Sequence, residues 1–384
     1  MRRILVSLFS FVITASFSVA AKEMAFKEVV VALDNYNPQI QIARAKIESN
    51  QYSMRTERNL DDPTVEYQLM APGSANEMEL VVSQEFAFPT KYARMKKAEK
   101  LAYKRDSLEY EITRREVIAS AYDICAEIVY LNQMLEMDSM RYEMSRVNYD
   151  KLKKGLDEGK YNILEVNDGQ VEMITAFSNY SNTRRTLSEN YLQLNALLGN
   201  NTSVKITDKE YPKDLKECSR KCTLMEELIA VEAEINAQQM KVSKAESHPN
   251  LSAGYKMTKA GETAHGFVVG SSIPIFSAKG KKQLVQAEST VADLELHQRA
   301  AELDASISNE LNRLEELVKL TSMYDKDMFN QSLQLLKKSL DSGRITEIEY
   351  ATMCHTWFDN NKTYLEQIKE LNKALLKVSV YCEE

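Results

Sequence analysis

"KKGLDEGKYNILEV" (Lys153–Val166) and "KKSLDSGRITEIEY" (Lys337–Tyr350) decide the fold. Each sets Leu-Asp-x-Gly between two runs of helical spacing, and the second begins 184 positions after the first, Lys337 against Lys153. A Gly just past a helix's last turn supplies the left-handed conformation that lets the chain reverse. The same reversal met twice marks an internal duplication.

Working outward, each turn joins two helices. Upstream, the spacing predicts very long ones, from about Tyr92 to Lys154 and from about Lys282 to Lys338, each on the order of 90 Å at 1.5 Å per residue. Downstream, shorter ones run from about Ile163 to Leu198 and from Ile345 to Val380. The apolar residues step by three and four: Ile118, Tyr122, Cys125 and Val129 in the first copy, and Ile307, Leu311, Leu314 and Val318 in the second. That is the seam of coiled-coil packing. Gly 11 and Pro 7 in 384 residues leave few breakers, so long helices dominate.

Upstream of each long helix lies a segment of a different period. After Asp62-Pro63, Val65, Tyr67 and Leu69 alternate with Glu66, Gln68 and Met70; after His248-Pro249, Leu251, Ala253, Tyr255 and Met257 alternate with small and polar residues. Period-two patterns bounded by Pro and Gly read as strands, giving hairpins at about 63–88 and 249–276. A basic junction, "TKYARMKKAEK" or "AKGKKQLVQAE", follows each. The order is helix, hairpin, long helix, tip turn, helix, performed twice, over 22–198 and 224–384. Opening helices are expected from Ala25 to Leu60 and from Leu224 to Ser247. A linker over 199–223 separates the copies.

The N-terminal residues 1–21 have Arg2 and Arg3, an apolar run from Ile4 to Val19 and a small-residue end, the pattern of a cleaved secretory signal peptide. No other stretch reaches the ~20 apolar residues a spanning helix requires. A net charge of −7 argues against a nucleic-acid partner, whose phosphates want a basic surface. In an exported chain Cys218 and Cys222 are spaced for a local disulfide, with a two-thiolate metal site as the sharper alternative. The four His are scattered, and there is neither a phosphate-binding Gly loop nor a Ser elbow, so the reading contains no catalytic residue, metal site or cofactor.

A plain helical scaffold explains the seams but not the two hairpins. Isolated hairpins are marginal and leave unpaired edges. Four strands are too few for the smallest ordinary membrane barrel, yet a closed barrel is the only sheet that spans a bilayer. Several chains sharing their strands would close one, and with long helices attached the result is a tube.

On these features the chain resembles the TolC-type outer-membrane efflux proteins over essentially its whole mature length. The carriers are the duplication, "DDPTVEYQLM" and "SHPNLSAGYKM" opening the hairpins, "SSIPIFSAKGKKQLVQAE" entering the second long helix, and the tips "EGKYNILEVNDGQ" and "SGRITEIEYATM". The resemblance implies a mainly α fold with a small β part: duplicated long-helix hairpins forming a tunnel, and four strands per chain contributing to a twelve-stranded barrel in a homotrimer. It implies a non-enzymatic exit duct among outer-membrane lipids, with helices in the periplasm, serving a periplasmic adaptor and an inner-membrane pump, RND type foremost. Leu156, Asp157, Gly159 and Leu164 on one tip, and Leu340, Asp341, Gly343 and Ile348 on the other, then face the adaptor. Glu349, with Glu165 as its echo, matches a carboxylate ring at the tunnel mouth. The type member also locks its mouth with a Tyr and an Arg, at positions that are Leu340 and Ile345 here, so an apolar constriction is expected instead.

Cargo is less legible. "SQEFAFPTKYARMKKA" is similar to heavy-metal exporters of the family, and Met134, Met137, Met140 and Met144 share one helix, but Met at such steps is more often core packing. Alternatives are a soluble periplasmic coiled-coil interaction protein and the exit duct of a type I secretion system. The former would want a Gly-rich lipoyl-like module, which is missing.

Overall fold

A computed structural model describes residues 22–69, 78–199, 204–211, 223–246, 248–260, 262–272, 279–324 and 326–382. The signal segment 1–21, Cys218 and Cys222 lie outside the described residues. In chain order the elements are β1 (Lys22–Met24), α1 (Phe26–Tyr36), α2 (Pro38–Glu57), β2 (Thr64–Leu69), β3 (Met78–Phe86), α3 (Pro89–Asp157), α4 (Ile163–Leu198) and β4 (Val204–Ile206), then α5 (Thr223–Glu246), β5 (Asn250–Ala260), β6 (Glu262–Ser272), α6 (Lys281–Thr321), α7 (Lys326–Asp341) and α8 (Glu347–Cys382).

The spine is α3, 69 residues without a break and roughly 100 Å long, which packs along α2, α4, α5 and α8. Its counterpart departs from expectation. The second long helix is two helices, α6 and α7, interrupted after Thr321. The Thr321 hydroxyl bonds back to the Leu317 carbonyl at 2.7 Å, and Ser322 Oγ to the Lys319 carbonyl at 2.7 Å. Such hydroxyls compete for helical carbonyls and bend the chain. Met323 and Tyr324 close i−3 bonds, and the Tyr324 ring meets Tyr364 of α8 at 5.3 Å.

The opening helix is also two. Pro38 has no N–H to give, and Asn37 steps out of helical geometry at ψ 125° while its side chain caps Ile40 N at 3.0 Å. Asn37, 1% exposed, also donates to the Leu197 carbonyl at 2.6 Å, tying the kink to the end of α4. Beside it a parallel pair of short strands, β1 with β4, joins Lys22–Met24 to Val204–Ile206. Here lies the largest core cluster, where Phe26, Leu33, Ile118, Ala121, Cys125, Leu194, Leu198 and Val380 are buried. Burial pushes the Cys125 thiol up to about 12, so it packs as an apolar group. Polar rungs extend the packing outside the core. Lys373 meets Glu127 at 2.8 Å between α8 and α3, Lys377 meets Glu310 at 2.9 Å between α8 and α6, and Arg313 pairs with Glu370.

At the N-terminal end of α3 the two hairpins form one antiparallel sheet, ordered β2-β3-β5-β6. Its register aligns Val65, Val82, Tyr255 and Phe267 in one row, and Tyr67, Leu80, Met257 and His265 in the next. One face is therefore apolar, with Phe267 90% and Val269 83% exposed. The other carries Glu66, Glu79, Ser83, Ser252 and Lys256 beside Val81, Val268 and small residues, with Lys256 paired to Glu79 at 2.5 Å. No helix among the described residues is long and apolar enough to cross a membrane.

Candidate functional site at the helical tips

Both reversals are built alike. At the first, Gly159 N donates to Leu156 O at 3.0 Å and Lys160 N to Gly155 O at 2.7 Å; at the second, Gly343 N donates to Leu340 O at 2.9 Å and Arg344 N to Ser339 O at 2.9 Å. The glycines have φ of +71° and +68°, conformations that cost an L residue about 1 kcal/mol or more. These are Schellman caps, and they satisfy the last carbonyls of α3 and α7.

The following helices start alike too. Asn162 accepts from Leu164 N at 2.9 Å and Glu165 N at 3.0 Å, and the Glu165 carboxylate accepts from Asn162 N at 2.7 Å. Thr346 repeats the arrangement with Glu349, whose carboxylate takes the Thr346 N–H at 2.8 Å and its hydroxyl at 2.9 Å. Each is a capping box. The two carboxylates that echo each other in the sequence thus share a local task, and the Thr346 N–H, then its hydroxyl, holds Glu349 below the usual carboxylate range.

A third carboxylate joins the two tips. Glu347, in the first turn of α8, accepts from Tyr161 Oη of the first tip at 2.7 Å and pairs with Lys151 of α3. The Lys151 ammonium, then Tyr161, depresses its pKa, while the bond to Glu347 raises that of Tyr161. Tyr161 can lie there because Gly155 sits beneath it: a Cβ on Gly155 would come within 2.2 Å of the ring. Leu340 and Ile345 are apolar, and the polar bridge between the tips runs through Glu347 instead. Sequence reasoning passed over Glu347 because it looked for what the copies share, and position 347 corresponds to Ile163. The signal was the difference itself.

Of the other expected residues, Leu156, Leu340 and Ile345 are half-buried, Asp157, Asp341 and both tip glycines are exposed, and the Ile348 side chain lies outside the described residues. Leu164 is 74% exposed and its neighbour Ile163 56%, an apolar pair at the end of the molecule. Behind the latch that Glu347 forms with Tyr161 and Lys151, Leu340, Met144, Tyr350, Cys354 and Phe358 line a cavity of about 300 Å³. At its polar side Arg141 reaches Asp359 at 3.2 Å, His355 at 3.1 Å and Glu172 at 3.4 Å.

The geometry as a whole has solved counterparts. CusC, in crystal structures that describe conformational changes accompanying folding and transmembrane channel formation, matches with a TM-score of 0.75 and 13% identity over 94% of this chain and 92% of that one. The Campylobacter jejuni CmeC outer membrane channel matches with a TM-score of 0.71 and 14% identity, over 93% of this chain and 85% of that one. The fold is that of the outer-membrane channels. The open state of the Neisseria gonorrhoeae MtrE outer membrane channel agrees, with a TM-score of 0.71 and 12% identity over 93% of this chain and 88% of that one. No family model and no curated protein matches the sequence, so the likeness is one of fold.

Within this channel fold the methionines on α3 divide between core and surface. Met134 and Met137 are buried with Tyr130, Leu131, Cys354 and Phe358, whereas Met140 is 44% exposed. Among the described residues no group of three or more His, Cys, Asp or Glu is arranged to hold a metal ion.

Proposed function

We propose that three copies of this chain form an outer-membrane channel, the passive, non-enzymatic exit duct of a tripartite efflux system. The observation that carries the reading is the four-stranded sheet with an apolar face and two unpaired edges, β2 and β6, set on helices far longer than a globular domain uses. An open edge in hydrocarbon leaves several N–H and C=O groups unsatisfied, so the sheet spans a membrane only if neighbouring copies continue it. Three copies make the twelve strands that the sequence resemblance implies, and the helices extend into the periplasm.

The six tips then ring the mouth, two per chain, and meet a periplasmic adaptor through Leu156, Asp157, Gly159 and Leu164 and through Leu340, Asp341, Gly343 and Ile348. An inner-membrane pump of RND type feeds the duct, and pump and adaptor choose the cargo. Leu340 and Ile345 supply an apolar constriction, and Glu349 and Glu165 bring carboxylates that favour cations there. Glu347 fastens one hairpin to the other. The membrane fraction and unboiled gel mobility test the reading: outer-membrane location and a detergent-resistant trimer are expected, and a soluble periplasmic monomer overturns it. Leu340→Tyr with Ile345→Arg should lower single-channel conductance in planar bilayers; unchanged conductance removes the constriction from these positions.

A further inference from the structure

We propose that the helix end of the barrel carries a basic collar that binds anionic glycerophospholipid headgroups of the adjoining membrane leaflet; the inference rests on the channel reading. The chain as a whole is acidic, with a net charge of −7, yet its two barrel-to-helix junctions are strongly basic. Between Pro89 and Lys100 five basic residues face one acid, Glu99, and between Lys279 and Ala287 three face none.

Helix electrostatics make this placement conspicuous. A helix N-terminus carries partial positive charge and is stabilised by acids in its first turn. The helices α1, α4, α5 and α8 follow that rule with Glu28, Glu165, Glu226, and Glu347 with Glu349. In α2 the first turn holds neither acid nor base, whereas the two helices that leave the barrel invert the rule: α3 and α6 have no acid there and carry Lys91, and Lys281 with Lys282. The helix dipole gains nothing from lysines at that end, so contacts elsewhere must account for them: ion pairs within the fold for some, and a negatively charged partner for those the fold leaves unpaired.

Some of the charge is used internally. Lys91 and Lys281 both reach Glu246, at 3.3 and 3.7 Å, and Arg94 donates to the Lys241 carbonyl at 2.5 Å, which gathers the starts of α3 and α6 around the end of α5. Lys96, Lys97, Lys279 and Lys282 are exposed and have no ion-pair partner among the described residues. They lie close under the apolar face: β3 ends at Phe86, and Lys96 and Lys97 are the eighth and ninth residues of α3, about 10–12 Å along the helix at 1.5 Å per residue. Half the difference between a bilayer's ~30 Å core and its ~40–45 Å full thickness is ~5–8 Å, so these ammonium groups stand at the phosphate level or within one screening length of it. Phe88, 37% exposed and 5.6 Å from the His248 ring, marks the same boundary with an aromatic side chain. Lipopolysaccharide phosphates belong to the opposite leaflet of an outer membrane, so the ligand chemistry is that of phosphatidylglycerol or cardiolipin.

Native mass spectrometry of the full-length trimer tests this, after delipidation and titration with phosphatidylglycerol or phosphatidylcholine. Retention of phosphatidylglycerol over phosphatidylcholine is expected at roughly tenfold or more in low salt, since one juxtamembrane lysine alone is worth about fivefold, and it should collapse as ionic strength rises. Combining Lys96→Gln, Lys97→Gln, Lys279→Gln and Lys282→Gln should abolish the preference, whereas Lys153→Gln with Lys154→Gln at the distant tip should keep it. If the fourfold variant does not assemble, the salt titration of the unaltered protein decides alone. An inserted trimer with equal retention, or with a preference indifferent to salt, overturns the collar. A protein that neither trimerises nor enters bilayers overturns the channel reading instead.

Discussion

The two tips are the same device with different attachments. Each ends one helix on a left-handed Gly and starts the next on a capping box, with matching hydrogen bonds. The first belongs to α3, whose unbroken length packs along four other helices, while the second belongs to α7, a helix of 16 residues that follows a break and packs on α8. The first lays Tyr161 over Gly155; the second has Ser339 and Ile345 at those places and puts Glu347 opposite Ile163. A duplicated element thus keeps what folds it and varies what connects it. The anchored tip offers a hydroxyl and an ammonium, and the jointed tip offers the carboxylate that takes both.

The comparison breaks most severely at Gly155. Gly155→Ala should displace the Tyr161 ring and cost about 1–3 kcal/mol by overpacking, whereas Ser339→Ala should stay within ~0.5 kcal/mol. Amide exchange in the first turns of α4 and α8 reads both, and equal effects would mean that the ring does not depend on the glycine. The caps should respond symmetrically: Asn162→Ala and Thr346→Ala are each expected to cost about 1 kcal/mol, seen as faster exchange of the same first-turn amides. A cost confined to one tip would show that the copies differ in their folding as well as in their attachments.

The latch is weaker. A double-mutant cycle of Lys151→Met and Glu347→Gln should give a coupling of about 0.2–1 kcal/mol, the range of exposed ion pairs. In planar bilayers Glu347→Gln should raise the open probability, and Ile163→Gln, at the equivalent place, should not. The smallest effect is the pH dependence. Because Lys151 and Tyr161 hold the Glu347 carboxyl below its ordinary 4.5, its contribution is present above that value and is lost as pH falls through the lowered one. Protease resistance of the tips should therefore be flat near neutrality and decline in acid, and Glu347→Gln should remove part of that decline.

Much of this molecule was legible before any coordinates. The Leu-Asp-x-Gly echo located both reversals, because a left-handed cap needs Gly and the capping box needs its acid three residues on. Alternation at Val65, Tyr67 and Leu69 located the sheet and its apolar face, since side chains on a strand repeat every second residue. Less legible were the breaks. Pro38 was in plain view, but a proline early in an amphipathic run reads as easily as a first-turn residue as a kink, and it was the contact of Asn37 with the end of α4 that settled the kink. At Thr321–Ser322 nothing but two hydroxyls marked the joint.

The sequence by itself determined the period, the duplication, the turns and the alternation, because each is set by backbone geometry within a few residues. Only the tertiary structure decided which carboxylate bridges the tips, that β1 pairs with β4, that the hairpins join through β3 and β5, and that two basic junctions far apart in the chain meet around Glu246. Apart from Lys281 with Glu246, these are meetings between residues more than a hundred positions apart. Local periodicity can say that a residue faces inward or outward, but the partner it finds there depends on how whole helices are laid side by side.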